Sequence, residues 1–567
     1  MRRALLLSVG IALVTYFEFA VFPGHSYLRG ETQVYVPMLE RLDAPGYLSR
    51  DLVATHPHLK YTIYDEVTLS LREIPGINFK TALVIQQLIW RAASVFGAFL
   101  LARAVGLSDL LSFLVAALLN LGATLAGPGV ALVEREPLPY GFAVGLILLG
   151  MGLLARGKPL LAGLAGGLAL LYDIPIAASF WLVIVLAAIF DRDLRPLFRP
   201  VLTSLFVFAL LLANLAQLQP GVVESQAVFG KLPARVADLQ RYWSSSAWVS
   251  LWAGKEIWSY LAIWLCGMWA TARIWPILNR QMRWFLIALP LFGIVSIPVS
   301  FLFLEKLRWT LIPQIQPARE LIFTAGMAVL TSSIAGVRAA LERREWETFV
   351  WFFVVFAIPF QTRILDVLRV SSPAHLAELA FSLVLAGLSV YLLIQHQGRK
   401  AHRFVLIIPL LAMFAGATVC RLGNTRAIHE NEIADVADWA EANTWGSSMF
   451  LFPDAGRDLY PGIFRGESRR ALWVDWRSGS LLNFFESFAN DWWDRWHETM
   501  QESFSPQRME RMLSLPVDYF VLRRSHELAD VKPAFANREF VVYDSRDLRK
   551  ASNPLRLASG ALQKTSN

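Results

Sequence analysis

Pro139-Tyr-Gly-Phe-Ala-Val-Gly-Leu-Ile-Leu-Leu-Gly-Met-Gly-Leu-Leu-Ala155 carries no charge until Arg156-Gly-Lys158 ends it, and Pro159 to Phe190 is again apolar, interrupted at Asp173-Ile174-Pro175. Runs of this kind suit helices that cross a bilayer, where roughly 20 apolar residues span the hydrocarbon. The same pattern extends outward in both directions. Spans are expected at about 81–102, 107–127, 139–155, 159–172, 174–190, 201–217, 257–273, 284–304, 321–338, 347–361, 377–395 and 404–420. Met1-Arg2-Arg3 followed by Ala4 to Phe22 has the charge and apolar core of a signal peptide but no small-x-small cleavage site, so it reads as an uncleaved first helix.

That makes about thirteen spans, an odd number, which puts the two termini on opposite sides. Basic residues gather where inner loops are expected: Arg156 and Lys158, Arg192 to Arg199, Arg273 to Arg283, Arg338 to Arg344 and Arg399 to Arg403. The positive-inside rule then sets the N-terminus in the cytoplasm. The reading is most exposed at 159–190, because one span there instead of two would move the tail inside. Long outer loops follow at 23–80 and 218–256, with a short second outer loop at 128–138. Trp243, Trp248, Trp252 and Trp258 have the spacing of an interfacial amphipathic helix.

Composition supports a lipid-solvated protein. Of 567 residues, 55% are hydrophobic and only 17% charged, against about 25% charged in soluble domains; the mean hydropathy is +0.44. The formal net charge of +8 sits in short loops and forms no basic stripe with interleaved aromatics, which excludes a nucleic-acid partner. Cys266 and Cys420 define neither a disulfide framework nor a zinc site. The fold class is therefore an all-α polytopic membrane domain over 1–420 with a soluble, extracytoplasmic α/β domain over 421–567. In the tail, Glu432 to Ala442 has helical periodicity, and Leu481 to Met512 reads as helices. Met449 to Phe452, Ala471 to Asp475, Tyr519 to Leu522 and Phe540 to Tyr543 read as strands of one sheet.

Ionisable residues near lipid are costly unless they function, so the outer loops hold the candidates. The first contains His25-Ser-Tyr-Leu-Arg29-Gly30-Glu31-Thr32-Gln33-Val-Tyr35, with Glu31 and Tyr35 one helical turn apart. Asp51, His56-Pro-His58 and Asp65-Glu66 follow; the histidines are too loosely spaced for a metal site, and Asp65-Glu66 read as surface charges. The second outer loop has Glu134-Arg135-Glu136 before Pro137-Leu-Pro-Tyr140, and Lys306, Arg308 and Arg319 flank a later outer helix end.

This layout resembles the GT-C superfamily, integral-membrane glycosyltransferases that use polyprenyl-phosphate-linked sugars. Glu31-Thr-Gln-Val-Tyr35 is similar to the Asp-Glu-x-x-Tyr type of motif that opens the first loop of lipid A aminoarabinose transferases and protein mannosyltransferases. Gly30 stands where many members have the first carboxylate of a pair. The tail, with Asp438-Trp439, Asn443-Thr444, Phe464-Arg465, Ser468-Arg469-Arg470 and Val474-Asp475-Trp476, looks like that of uncharacterised bacterial members. Trp492-Trp493-Asp494 matches the first three letters of the oligosaccharyltransferase Trp-Trp-Asp-Tyr-Gly signature, but Arg495-Trp496 follow, as suits a surface helix.

The resemblance implies a bacterial inner-membrane enzyme that moves a sugar from a polyprenyl-phosphate donor to an extracytoplasmic lipid, glycan or protein. Glu31 is the candidate base, with Asp51 as its helper. Glu134 or Glu136 would position sugar or acceptor, or hold a divalent cation (Mg or Mn) through oxygen ligands. Arg319, with Lys306 and Arg308, would grip the phosphate. The alternatives are a transporter, which would show broken helices paired across two halves, and a non-catalytic scaffold or sensor, for which a dozen spans is excessive. The topology is testable: alkaline phosphatase fused after Asn567 should be active outside the cytoplasm, and a reporter active only inside would overturn the span parity.

Overall fold

The computed structural model describes residues 2–56, 62–219, 230–359, 373–395, 407–419, 431–529 and 531–550. Most of the helices are the apolar runs, joined by the amphipathic Thr32–Asp43, Tyr64–Arg72 and Ala234–Trp243 of the outer loops. These are α1 (Arg2–Ala20), α2 (Thr32–Asp43), α3 (Tyr64–Arg72), α4 (Phe79–Ala104), α5 (Asp109–Leu119), α6 (Pro139–Ala155), α7 (Pro159–Tyr172), α8 (Ile174–Phe190), α9 (Arg195–Leu218), α10 (Ala234–Trp243), α11 (Gly254–Ile274), α12 (Arg280–Ser300), the single turn α13 (Leu311–Ile315), α14 (Leu321–Leu341), α15 (Glu345–Ala357), α16 (Pro373–Gln395) and α17 (Ile407–Val419). Among the described residues, four segments are long and apolar enough to cross a membrane by length and composition: Phe79–Ala104, Arg192–Leu218, Arg280–Lys306 and Leu311–Leu341. Shorter apolar helices surround them. α14 lies at the centre, buried along almost its whole length.

Residues 159–190 form two helices. Asp173 separates them in extended conformation and caps α8, its Oδ1 accepting from Ile176 N at 3.1 Å. The span expected at 107–127 is shorter. Its helix stops at Leu119, and Gly122 (φ +79°) turns the chain into an antiparallel ladder of β1 (Thr124–Leu125) and β2 (Val130–Ala131). The tip of that hairpin, Gly127, lies so close to Trp252 that a Cβ there would sit 2.9 Å from the indole.

Segment 230–256 is not an interfacial amphipathic helix. α10 ends in two short 3-10 turns, Ser245–Ala247 and Val249–Leu251. Trp248 and Trp252 are buried, whereas Trp258 is 65% exposed. Two of these indoles are held by protein partners: Trp243 Nε1 donates to Trp476 O at 2.8 Å, and Trp252 Nε1 to Ser246 O at 3.0 Å.

The tail has helices α18 (Asn431–Asn443), α19 (Tyr460–Ser468) and α20 (Glu486–Thr499) around strands β3 (Met449–Leu451), β4 (Ala471–Leu472), β5 (Tyr519–Arg523), β6 (Phe535–Ala536) and β7 (Phe540–Asp544). One mixed sheet runs β4-β3-β5-β7-β6, with β3 parallel to β4 and β5, and β7 antiparallel to β5 and β6. All four expected strands share it, and β6 is an additional edge strand. On α20, Trp492 and Trp496 are buried, while Arg495 pairs with Asp491 one turn away.

The tail docks on the first long loop through a buried guanidinium. Arg465, 1% exposed, donates to Gln33 O at 2.7 Å, Asp475 Oδ1 at 2.9 Å and Ser478 Oγ at 3.1 Å, with Asp51 Oδ2 at 3.7 Å. Gln33 Nε2 answers by donating to Leu459 O at 3.0 Å. Gly466 allows the close approach, since a Cβ there would fall 2.8 Å from the Leu28 side chain. Arg465→Met would strand two buried carboxylates, a loss of about 3–5 kcal/mol for breaking such a group. The variant's melting temperature in detergent should fall by several degrees; unchanged melting would show that the docking does not depend on this ion group.

Candidate functional site

The docked tail closes a cavity of about 140 Å³. Its lining comes from four places: Gly30, Glu31, Val34 and Tyr35 at the start of α2; Pro128 and Gly129 of the hairpin with Trp243, Ser244 and Ser246; Gln314, Gln316 and Arg319; and Arg477, Ser480, Asn483 and Phe484 of the tail. Glu31 and Arg319, 288 residues apart in sequence, meet there, with Arg319 Nη2 donating to Glu31 Oε1 at 3.0 Å. Glu31 is 38% exposed and Arg319 only 13%. The guanidinium also lies 5.3 Å over the Tyr140 ring, which helps hold its charge in place.

Glu134 and Glu136 support this pair from outside the cavity lining. Tyr140 OH donates to Glu134 Oε2, and the backbone N–H groups of Arg135 and Glu136 donate to Oε1 at 2.8 and 3.1 Å. Glu136 accepts from Arg29 N (2.6 Å), Gly30 N (2.8 Å), Thr32 N (3.1 Å) and Thr32 Oγ1 (2.8 Å). A carboxylate from the second loop thus satisfies N–H groups at the start of α2 that helix geometry leaves without partners. Burial raises both carboxyls above the ordinary range, against the lowering effect of these hydrogen bonds. Burial, with the Glu31 charge second, likewise raises the Tyr35 phenol.

Gly30 now has a physical reason. A Cβ at this position would sit 3.0 Å from Glu136 Oε2, so a larger side chain here would press on the acid that anchors the loop.

The other expected residues lie elsewhere. Asp51 is fully buried: its Oδ1 accepts from Val53 N and Ala54 N at 2.9 Å, and its Oδ2 from Leu472 N at 2.9 Å. It joins the first loop to the tail sheet and does not line the cavity. Lys306 and Arg308 are exposed and outside the lining; Lys306 lies over the Phe301 ring at 5.2 Å, and Arg308 takes a left-handed turn at φ +51°. Asp65, expected at the surface, is 6% exposed because α3 packs inward. His25 stacks on Phe19 and His56 on Phe485, while His58 lies outside the described residues.

A divalent cation does not fit these groups. Among the described residues no three His, Cys, Asp or Glu side chains gather as a metal set. The Glu134 and Glu136 oxygens are taken by the donors above, and the charge beside Glu31 is a guanidinium. Sequence reasoning missed the tail's Arg477, Ser480 and Asn483 and the loop residues Ser244 and Ser246. The polar run Arg477-Ser-Gly-Ser480 was the only local signal.

No protein-family model matches the chain, and no curated protein matches it. The solved structures to which it is similar include an ArnT, an oligosaccharyltransferase and an arabinofuranosyltransferase. ArnT from Cupriavidus metallidurans bound to undecaprenyl phosphate is 15% identical, covering 95% of this chain and 98% of that one at a TM-score of 0.47. The archaeal oligosaccharyltransferase AglB from Archaeoglobus fulgidus, in complex with an inhibitory peptide and a dolichol-phosphate, is 11% identical over 92% of this chain and 69% of that one, TM-score 0.39. The mycobacterial arabinofuranosyltransferase AftD is 14% identical over 96% and 42%, TM-score 0.40. Likeness this loose leaves the chemistry to be argued from the chain's own residues.

Gly30→Asp tests the packing around Glu136. The added atoms should cost about 1–3 kcal/mol through overpacking. The new carboxylate beside a buried one should have a raised pKa in the folded state, so its penalty grows as pH rises. The melting deficit against wild type should therefore be larger at about pH 8 than at about pH 5; an equal deficit at both would assign it to sterics alone.

Proposed function

We propose that the chain is a membrane glycosyltransferase that moves a sugar from a polyprenyl-phosphate donor to an extracytoplasmic acceptor hydroxyl. The observation that carries this reading is the Glu31–Arg319 pair in a cavity formed by loops and tail at one end of an apolar helix bundle. The reaction needs a base for the hydroxyl proton and positive charge near the departing phosphate, and this pair supplies both. The acceptor oxygen forms a bond to the anomeric carbon and its proton passes to Glu31. The bond from that carbon to the phosphate oxygen breaks, and polyprenyl phosphate leaves with the electron pair. Arg319 is shared between carboxylate and incoming phosphate. Glu134 and Glu136 act as positioning residues, the first through Tyr140 and the second through the backbone of Gly30 and Thr32. The tail lies on the extracytoplasmic side in this reading, and the helices retain the lipid tail of the donor.

Glu31→Gln keeps size and hydrogen bonding while deleting the base. Turnover of a radiolabelled polyprenyl-phosphate sugar by the purified protein in nanodiscs should fall by at least about 100-fold, the lower end for loss of a general base. Arg319→Ala should instead weaken donor binding. Near-wild-type turnover by Glu31→Gln would remove Glu31 from the mechanism.

A further inference from the structure

The charges that line the cavity do not balance. One carboxylate, Glu31, faces two guanidiniums, Arg319 and Arg477. Arg319 is committed to Glu31 and to the Tyr140 ring. Arg477, brought in by the 3-10 segment Arg477–Asn483 of the tail, has no acidic partner among the described residues. The nearest acid in sequence, Asp475, cannot neutralise it. Its Oδ1 is bound by Arg465 and Ser478, and its Oδ2 accepts the backbone N–H groups of Arg477 and Ser478 at 3.1 and 3.3 Å.

The same wall carries unsatisfied polar atoms. Arg477 Nε, Ser480 Oγ and Asn483 Oδ1 are buried without a hydrogen-bond partner among the described residues, and so is Arg319 Nε. Asn483 is 4% exposed. Buried polar atoms are almost always partnered in folded proteins, so four on residues that line one small cavity mark a wall whose polar groups the protein alone does not satisfy. An excess positive charge selects an anion, and a guanidinium fork matches a phosphate. Hydroxyl and amide groups beside it suit a hydroxylated ring, with Trp243 and Phe484 offering apolar faces.

We propose that the tail completes the site: Arg477, with Ser480 and Asn483, forms a wall that binds a phosphate group. This deepens the transferase reading and rests on it for the class of ligand. The phosphate belongs either to the polyprenyl donor or to an anionic acceptor.

Binding separates these cases. The full-length protein in nanodiscs is titrated with undecaprenyl phosphate and, separately, with inorganic phosphate. Arg477→Gln should weaken binding by at least about 10-fold, as expected for losing a charge-assisted hydrogen bond; Arg477→Lys should recover part of it. Ser480→Asp, which adds a negative charge to the wall, should abolish binding by repulsion, and Arg546→Gln on the exposed tail surface should change nothing. Loss for undecaprenyl phosphate assigns Arg477 to the donor. Loss for inorganic phosphate alone assigns it to an anionic acceptor. Unchanged affinity for both probes in correctly melting Arg477→Gln and Ser480→Asp proteins would overturn the proposal. If the wild type binds inorganic phosphate but not undecaprenyl phosphate, the transferase reading falls and the anion wall stands. If it binds neither, both fall.

Discussion

The structure depends on one buried cation. Arg465 is held by two carboxylates, a serine hydroxyl and a backbone carbonyl, and contacts both the tail and the first loop. Such a group adds little net stability, because desolvating three charges offsets most of their attraction. Its effect is on geometry. A guanidinium has fixed donor directions, so satisfying Asp475, Ser478 and Gln33 O together leaves little freedom for the tail to rotate on the helices. Since Gln33 lies two residues from Glu31, the same contact sets where the candidate base stands.

A second seam restrains the tail at its other side. Gln240 Nε2 donates to Leu482 O at 3.1 Å, and Arg457 lies 4.9 Å over the Tyr242 ring and 4.5 Å over that of Trp476. Gly479 fits beside Trp243 and Trp492, where a Cβ would be 2.8 Å from the latter. Between these two seams runs the segment that carries Arg477 and Asn483. The cavity wall is therefore built on a part of the tail held from both sides, and the buried polar atoms of Arg477, Ser480 and Asn483 do not pair with each other.

Local patterns were legible in the sequence, and distant partnerships were not. Uninterrupted apolar runs gave the helices because each satisfies its own backbone, and short β-branched and aromatic runs such as Tyr519 to Leu522 gave the sheet. The end of α5 was misread because Leu121 to Leu125 is apolar enough to continue it, while Gly122 adopts a conformation that only the fold selects. Glu31 could be singled out because it opens one short contiguous motif, Glu31-Thr-Gln-Val-Tyr35, in the first outer loop. Glu136 reads in sequence as a group that positions sugar or acceptor or holds a cation, and in the fold its four hydrogen-bond donors come from more than a hundred residues away. Asp51 likewise has a partner that no local pattern shows, the backbone N–H of Leu472. Arg477 gave almost no signal, as nothing near it in sequence shows that the tail folds over Glu31.

The link between Gln33 and Arg465 spans 432 residues. At translation rates of about 5–20 residues per second, the first loop waits roughly 20–90 s for its partner to be made. During that interval Asp51 and the Gln33 carbonyl have water in place of Arg465. The binding cavity is thus among the last features to form, and a ribosome that stops short of Arg465 leaves a bundle of helices without it.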